Sequence, residues 1–178
     1  MHRLIAIDTP SDMPAHLQGT PVERLVLWHN TGEHPVSVDQ AELLVGMCMD
    51  NRKKLRVPEN FAFILRAGGG NLRPSEFKVS YAVAVGGVRT IAIMVHNHCG
   101  MVGLEGRHEQ FVQGLVDAGW DHDLAEQHFH AYAPLFEIGN EIDFALSEAQ
   151  RLRLRYPKVL VAPLLYNVDD NRIYCIEE

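Results

Sequence analysis

The chain has 178 residues, of which 47% are apolar and 22% are charged, and its formal net charge is −7. These values are typical of a globular domain with a buried core. The negative charge and the lack of a basic block argue against a nucleic-acid or anionic-membrane partner. No apolar run is long enough to span a membrane, and Asp8 and Pro10 interrupt the N-terminus too early for a secretory signal. We therefore expect a cytoplasmic protein.

Strands and helices alternate along the chain after an irregular lead-in. A first helix is expected from Pro21, with Thr20 as its cap. Nearly continuous apolar runs then predict buried strands. The expected strands are residues 42–48, 61–66, 90–96 and 159–166, and residues 172–176 could add a fifth at an edge. Further helices are expected at about residues 74–85, 106–118, 123–133 and 141–155.

This alternation defines the fold class. Strands that are separated by helices imply crossover connections, so we expect an α/β fold with a mainly parallel sheet of four strands, a fifth edge strand and flanking helices. Residues 1–178 are interpreted as a single domain, with residues 1–40 as an N-terminal arm and helix.

Polar side chains follow the first buried strand, where Cys48 is followed by Asp50 and Arg52. If the chain stays extended there, these three side chains share one side, because side chains alternate along a strand. In open α/β sheets, ligands bind at the carboxyl ends of the strands. A thiol, a carboxylate and a guanidinium are therefore expected to meet at a site.

A histidine and a cysteine, His96 and Cys99, lie three residues apart where the third strand ends. With Cys48 they make two thiolates and one imidazole, a set that suits zinc and leaves a fourth position open. A disulfide framework is not expected from only three cysteines in a cytosolic chain. The third, Cys175, lies away from these motifs and is interpreted as a packing residue.

Four segments together resemble the β-carbonic anhydrase family, most closely its short prokaryotic members. They are Cys48-Met49-Asp50-Asn51-Arg52, Leu65-Arg66-Ala67-Gly68-Gly69-Gly70, Ser80-Tyr81-Ala82-Val83 and His96-Asn97-His98-Cys99-Gly100. The resemblance is strongest over residues 42–103. Two positions depart from it, because the family usually has Asn where Ala67 stands and often Asp where His98 stands.

The resemblance implies reversible hydration of carbon dioxide to bicarbonate by zinc-bound hydroxide. Cys48, His96 and Cys99 would be the zinc ligands. Asp50 would accept a hydrogen bond from the zinc-bound water, and Arg52 would hold Asp50 off the metal. In some members the Asp leaves the Arg and closes the site as a fourth ligand. The family also implies a homodimer or a multiple of dimers, with a small-molecule substrate.

Three other functions compete with this interpretation. The same fold could hydrolyse carbonyl sulfide or carbon disulfide, or it could bind zinc without turnover. A thiol redox protein is disfavoured, because there is no Cys-x-x-Cys motif and such a role would not explain His96 or Arg52.

The remaining histidines give weaker signals. His98 lies between two expected ligands and could relay protons, although a surface position is the simpler interpretation. His122, His128 and His130 are interpreted as a solvated helix face, because 128 and 130 point apart on a helix.

Overall fold

A six-stranded sheet forms the centre of the computed structural model, which describes residues 4–178. The strands are β1 (Leu4–Ala6), β2 (Leu43–Met47), β3 (Ala62–Arg66), β4 (Thr90–His96), β5 (Leu160–Asn167) and β6 (Arg172–Ile176). Across the sheet their order is β1-β6-β5-β4-β2-β3. The pairs β3–β2, β2–β4 and β4–β5 are parallel, whereas β6 is antiparallel to both of its neighbours. The expected α/β fold with a mainly parallel sheet is confirmed.

Within residues 4–178, five α-helices lie between the strands. They are α1 (Pro21–Thr31), α2 (Glu76–Ala84), α3 (His108–Asp117), α4 (His122–Phe136) and α5 (Glu141–Arg155). Capping residues mark the ends of these helices. The side chain of Asp121 accepts a hydrogen bond from the Leu124 amide at the start of α4, and Gly32 ends α1 in a left-handed conformation with φ 76°. No helix among residues 4–178 is both long and apolar enough to cross a bilayer.

The central strands of the sheet bury both of their faces, which explains the continuous apolar runs of β2 and β4. Leu44 faces a core that includes residues of α2 and α5, while its neighbours Leu43 and Val45 face a core that includes residues of α1. All residues of β2 and β4 are buried. Because neighbours alternate between two covered faces, the strands lack the polar alternation of a half-exposed sheet.

The two outer strands at the β6 side differ from the sequence prediction. The strand Arg172–Ile176 is present but does not form the edge, because β1 pairs with it from Leu4 to Ala6. Three residues are too few to give a periodic signal, so this strand was not predicted. The edges of the sheet are therefore β1 and β3.

Candidate metal centre

The three expected ligands meet where two neighbouring strands end. Cys48 directly follows β2, His96 is the last residue of β4, and Cys99 lies in the turn that follows. Since β2 and β4 are adjacent and parallel, their carboxyl ends lie at the same edge. The ligand atoms of the three residues all lie within 4.8 Å of one another, and all three residues are buried. The side chains can therefore hold a metal ion.

The imidazole of His96 presents a free nitrogen to this cluster. Its Nδ1 lies 2.9 Å from the carbonyl oxygen of Asn97. Because a carbonyl oxygen only accepts hydrogen bonds, Nδ1 carries the proton and Nε2 of the neutral ring has a free lone pair. Nε2 is buried and has no hydrogen-bond partner among residues 4–178. A buried nitrogen of this kind, beside two thiols, fits the donor set of a metal site.

The pKa values of the two cysteine thiols are shifted in opposite directions. The pKa of Cys48 is lowered, chiefly by a hydrogen bond from the neighbouring Cys99 thiol, and also by the backbone amides of Asp50 and Gly69. The pKa of Cys99 is raised by the same hydrogen bond and by burial. One thiolate is thus already stabilised, and thiolates are the form in which cysteine binds metals.

A carboxylate held by a guanidinium lies beside the three ligands. Nε of Arg52 lies 3.0 Å from Oδ1 and 3.1 Å from Oδ2 of Asp50, and Nη2 lies 2.6 Å from Oδ2. This pairing holds the pKa of Asp50 well below its usual range, so the carboxylate is ionised and accepts hydrogen bonds only. Its Oδ2 lies 3.9 Å from Nε2 of His96, which places the carboxylate next to the ligand cluster.

Two further cationic residues lie in or against the loop after β2, and sequence reasoning assigned neither of them a role. Arg66, the last residue of β3, donates hydrogen bonds to the carbonyl oxygens of Cys48, Asp50 and Lys53 at 3.1–3.3 Å. Lys53 is 1% exposed, and its Nζ has no hydrogen-bond partner among residues 4–178. Burial lowers the pKa of Lys53. The role of Arg66 could have been suspected from the sequence, because Arg66 is a basic residue at the end of an apolar strand.

The glycine segment Gly68–Gly70 is fully buried beside the centre. The amide of Gly69 helps to lower the pKa of Cys48, and Gly70 has φ 77°, a conformation that favours glycine. His98, by contrast, is 66% exposed and lies 3.5 Å from Asp169. His98 therefore occupies the surface position that was the simpler interpretation, and Cys175 is buried in β6 as a packing residue.

An open apolar cavity of about 360 Å³ borders the centre. Met49, the residue after Cys48, forms part of its wall together with Gly68 and Met101. Helices α3 and α4 supply the opposite side, including Phe111 and Tyr132. The lining is almost free of polar atoms, so the cavity suits a small apolar molecule.

Comparison of structures identifies the fold. A carbonic anhydrase from Glaciozyma antarctica is 18% identical, with a TM-score of 0.60 over 90% of this chain and 98% of that one. The β-carbonic anhydrase isoform I of Trichomonas vaginalis is 18% identical, with a TM-score of 0.63 over 82% and 88%. A carbon disulfide hydrolase is 20% identical, with a TM-score of 0.51 over 85% and 84%. The chain therefore has the β-carbonic anhydrase fold.

No protein-family model matches the sequence, and no curated protein does.

Proposed function

We propose that the protein is a zinc enzyme that reversibly hydrates carbon dioxide to bicarbonate and a proton. The observation that carries the proposal is the buried, unpartnered Nε2 of His96 beside two cysteine thiols. The donor set of two sulfurs and one nitrogen leaves one position of a tetrahedral zinc ion open, which is the arrangement of catalytic sites. The fold, which is that of β-carbonic anhydrases, supports the same reaction.

Each residue of the centre would have a defined task. Cys48, His96 and Cys99 would hold the zinc, which when bound lowers the pKa of a coordinated water so that hydroxide is available near neutral pH. Asp50 accepts a hydrogen bond from the attacking water and so orients it toward the carbon of carbon dioxide. Arg52 donates hydrogen bonds to both carboxylate oxygens of Asp50. These bonds keep the Asp50 side chain from turning to the metal.

The proposed reaction consumes one water and one carbon dioxide and yields bicarbonate and a proton. The water oxygen bonds to the carbon, one C=O bond becomes a C–O bond, and the displaced proton passes to solvent or buffer. Carbon dioxide is apolar, and the cavity bordered by Met49 and Met101 offers it an apolar approach. The charged product is better solvated outside that cavity, which favours its release.

The apolar cavity also favours a second candidate function, the hydrolysis of carbonyl sulfide or carbon disulfide. Both molecules are linear and apolar, and the same attack by water would release hydrogen sulfide. One neighbour in structure is a carbon disulfide hydrolase. Each substrate therefore has to be assayed on the same preparation.

The decisive experiment is stopped-flow hydration of carbon dioxide by tag-free protein of measured zinc content, from about pH 6.5 to 9. We expect rapid turnover with one zinc per chain, and a rate that rises with pH. Cys48→Ser should lose zinc and activity together, whereas the matched control Cys175→Ala should keep both, because Cys175 lies in β6. Hydrogen sulfide release without carbon dioxide hydration would select the second candidate. Bound zinc with no turnover on any of these substrates would contradict both.

We further propose a cytoplasmic location and assembly as a homodimer or a multiple of dimers. Exposed apolar side chains at the free edge of β3 and on α2 support a self-association surface; they include Ile64, Phe77 and Val85. Phe77 is 82% exposed. Phe77→Asp should yield monomers in sedimentation velocity, whereas Leu124→Asp on α4 should not. A Phe77→Asp protein that sediments as wild type would exclude this surface.

A further inference from the structure

A second group of metal-binding side chains lies between α3 and α4, away from the strand ends. His108 is the first residue of α3, while Glu126 and His130 are one turn apart on α4. Nε2 of His108 lies 2.9 Å from Oε2 of Glu126, and Nε2 of His130 lies 3.3 Å from the same oxygen. The ligand atoms of all three residues lie within 4.8 Å of one another.

These separations match the geometry of a small divalent ion. Zinc lies about 2.0–2.1 Å from imidazole nitrogen and about 2.0–2.2 Å from carboxylate oxygen, so tetrahedral ligand atoms are about 3.3–3.5 Å apart. The distances from Glu126 to the two histidines are 2.9 and 3.3 Å. The two distances to Glu126 therefore lie within about half an ångström of the tetrahedral separation, and the two histidine nitrogens lie within 4.8 Å of each other.

Packing already orients the two imidazoles. The rings of His108 and His130 are stacked, with centroids 5.0 Å apart and planes at 27°. Phe129, which is 3% exposed, contacts His108 edge-on at 4.8 Å and His130 at 5.9 Å. Side chains that are fixed by such contacts lose little entropy when they bind a ligand.

The surroundings favour a cation that arrives from solvent. The side chain of His130 is 62% exposed, whereas those of His108 and Glu126 are 24% and 32% exposed. A small cavity of about 140 Å³ next to His130 is lined by residues that include Glu105 and Glu137. Two imidazoles and one carboxylate, with an open side, form a donor set that suits zinc, cobalt and related ions.

We propose that His108, Glu126 and His130 form a second metal site for a divalent transition-metal ion such as Zn²⁺, independent of Cys48, His96 and Cys99. The site joins the start of α3 to the middle of α4. The same two helices carry Phe111 and Tyr132 into the wall of the apolar cavity. An ion at this site would therefore hold together the wall of that cavity, at a distance from the strand-end ligands.

The test is metal titration of tag-free, full-length protein that already carries its first zinc. Isothermal titration calorimetry should detect a second equivalent of Zn²⁺. His130→Gln should weaken that second binding by more than about a hundredfold, because losing only a hydrogen-bond partner of a ligand already costs about 10- to 100-fold. The matched control is His122→Gln, since His122 lies on the same helix and is 65% exposed; it should bind as wild type.

Cobalt spectroscopy distinguishes the two sites. Co²⁺ added to the zinc-loaded protein should give ligand-field bands without the near-ultraviolet charge-transfer band that thiolate ligands produce, and His108→Gln should abolish these bands. The absence of a second equivalent in the wild type, an equal loss in His122→Gln, or a thiolate band from the second ion would each overturn the proposal. These outcomes do not depend on whether the protein hydrates carbon dioxide.

Discussion

Removing the metal from the strand-end centre should lower the stability of the whole chain. Nε2 of His96 is buried and has no hydrogen-bond partner among the described residues. A buried polar atom in that condition costs about 1–3 kcal/mol. A bound ion relieves this cost, because the nitrogen then donates its lone pair to the metal.

Mass action sets the size of the effect. Zinc at 100 to 1,000 times its dissociation constant stabilises the folded state by about 2.7–4.1 kcal/mol. In a chain of 178 residues, 1 kcal/mol moves the melting temperature by about 2–4 °C. Chelation should therefore lower the melting temperature by about 5–16 °C.

The assay is differential scanning calorimetry with and without a chelator, with zinc counted by mass spectrometry. Cys99→Ser should melt near the metal-free wild type and should not respond to the chelator. Cys175→Ala removes the third buried thiol and should keep the full response. A wild type that binds zinc but melts at the same temperature after chelation would refute this reasoning, as would a Cys99→Ser protein that responds like the wild type.

Three further outcomes are expected. Arg52→Gln frees the carboxylate of Asp50, so carbon dioxide hydration should fall about 10- to 100-fold with zinc content unchanged; full activity would contradict the positioning role. His29 is fully buried, accepts a hydrogen bond at Nδ1 and donates one from Nε2, and burial lowers its pKa. The unfolded chain then binds a proton more readily than the folded chain, so the free energy of unfolding measured in urea should fall as the pH drops below about 6.5. The fall should be smaller in His29→Gln. An equal fall in the wild type and in His29→Gln would exclude His29 as the cause. Gly46→Ala would place Cβ 2.7 Å from Cδ1 of Leu72 and should cost about 1–3 kcal/mol; in a double-mutant cycle the cost should shrink when Leu72 is first shortened to Ala, and strict additivity would contradict the clash.

The ligand cluster could be predicted from the sequence because its positions are set by strand ends. Cys48 follows one continuous apolar run and His96 ends another. Parallel strands bring their carboxyl ends to one edge, so both residues had to approach the same region once the strands paired. The pairing itself, with β2 beside β4 and β3 outside, is not readable from local pattern. The expectation that Cys48 and His96 lie side by side came from the resemblance to the motifs of the family.

The second site could not be predicted, because spacing on one helix does not reveal what a neighbouring helix contributes. His128 and His130 do point apart, as expected from their spacing. His128 packs against Phe111 and Tyr132, whereas His130 meets Glu126 and His108. The grouping depends on how the first turn of α3 lies against α4. Helix packing of that kind depends on tertiary contacts that no single-segment pattern encodes.

The sheet edge and the α3–α4 helix pair would have different tasks in the proposed reaction. The sheet edge holds the groups that would generate and orient the nucleophile, and these lie at or just after the ends of the fully buried strands β2 and β4. The α3–α4 pair forms the cavity wall that a substrate would contact, with Phe111 and Tyr132 partly exposed. Carbon dioxide, carbonyl sulfide and carbon disulfide are attacked in the same way and differ mainly in size. In the proposed enzyme, the choice among them would therefore rest on the helical wall rather than on the ligands, and an ion that joins His108 to Glu126 and His130 would act on that choice without touching the nucleophile.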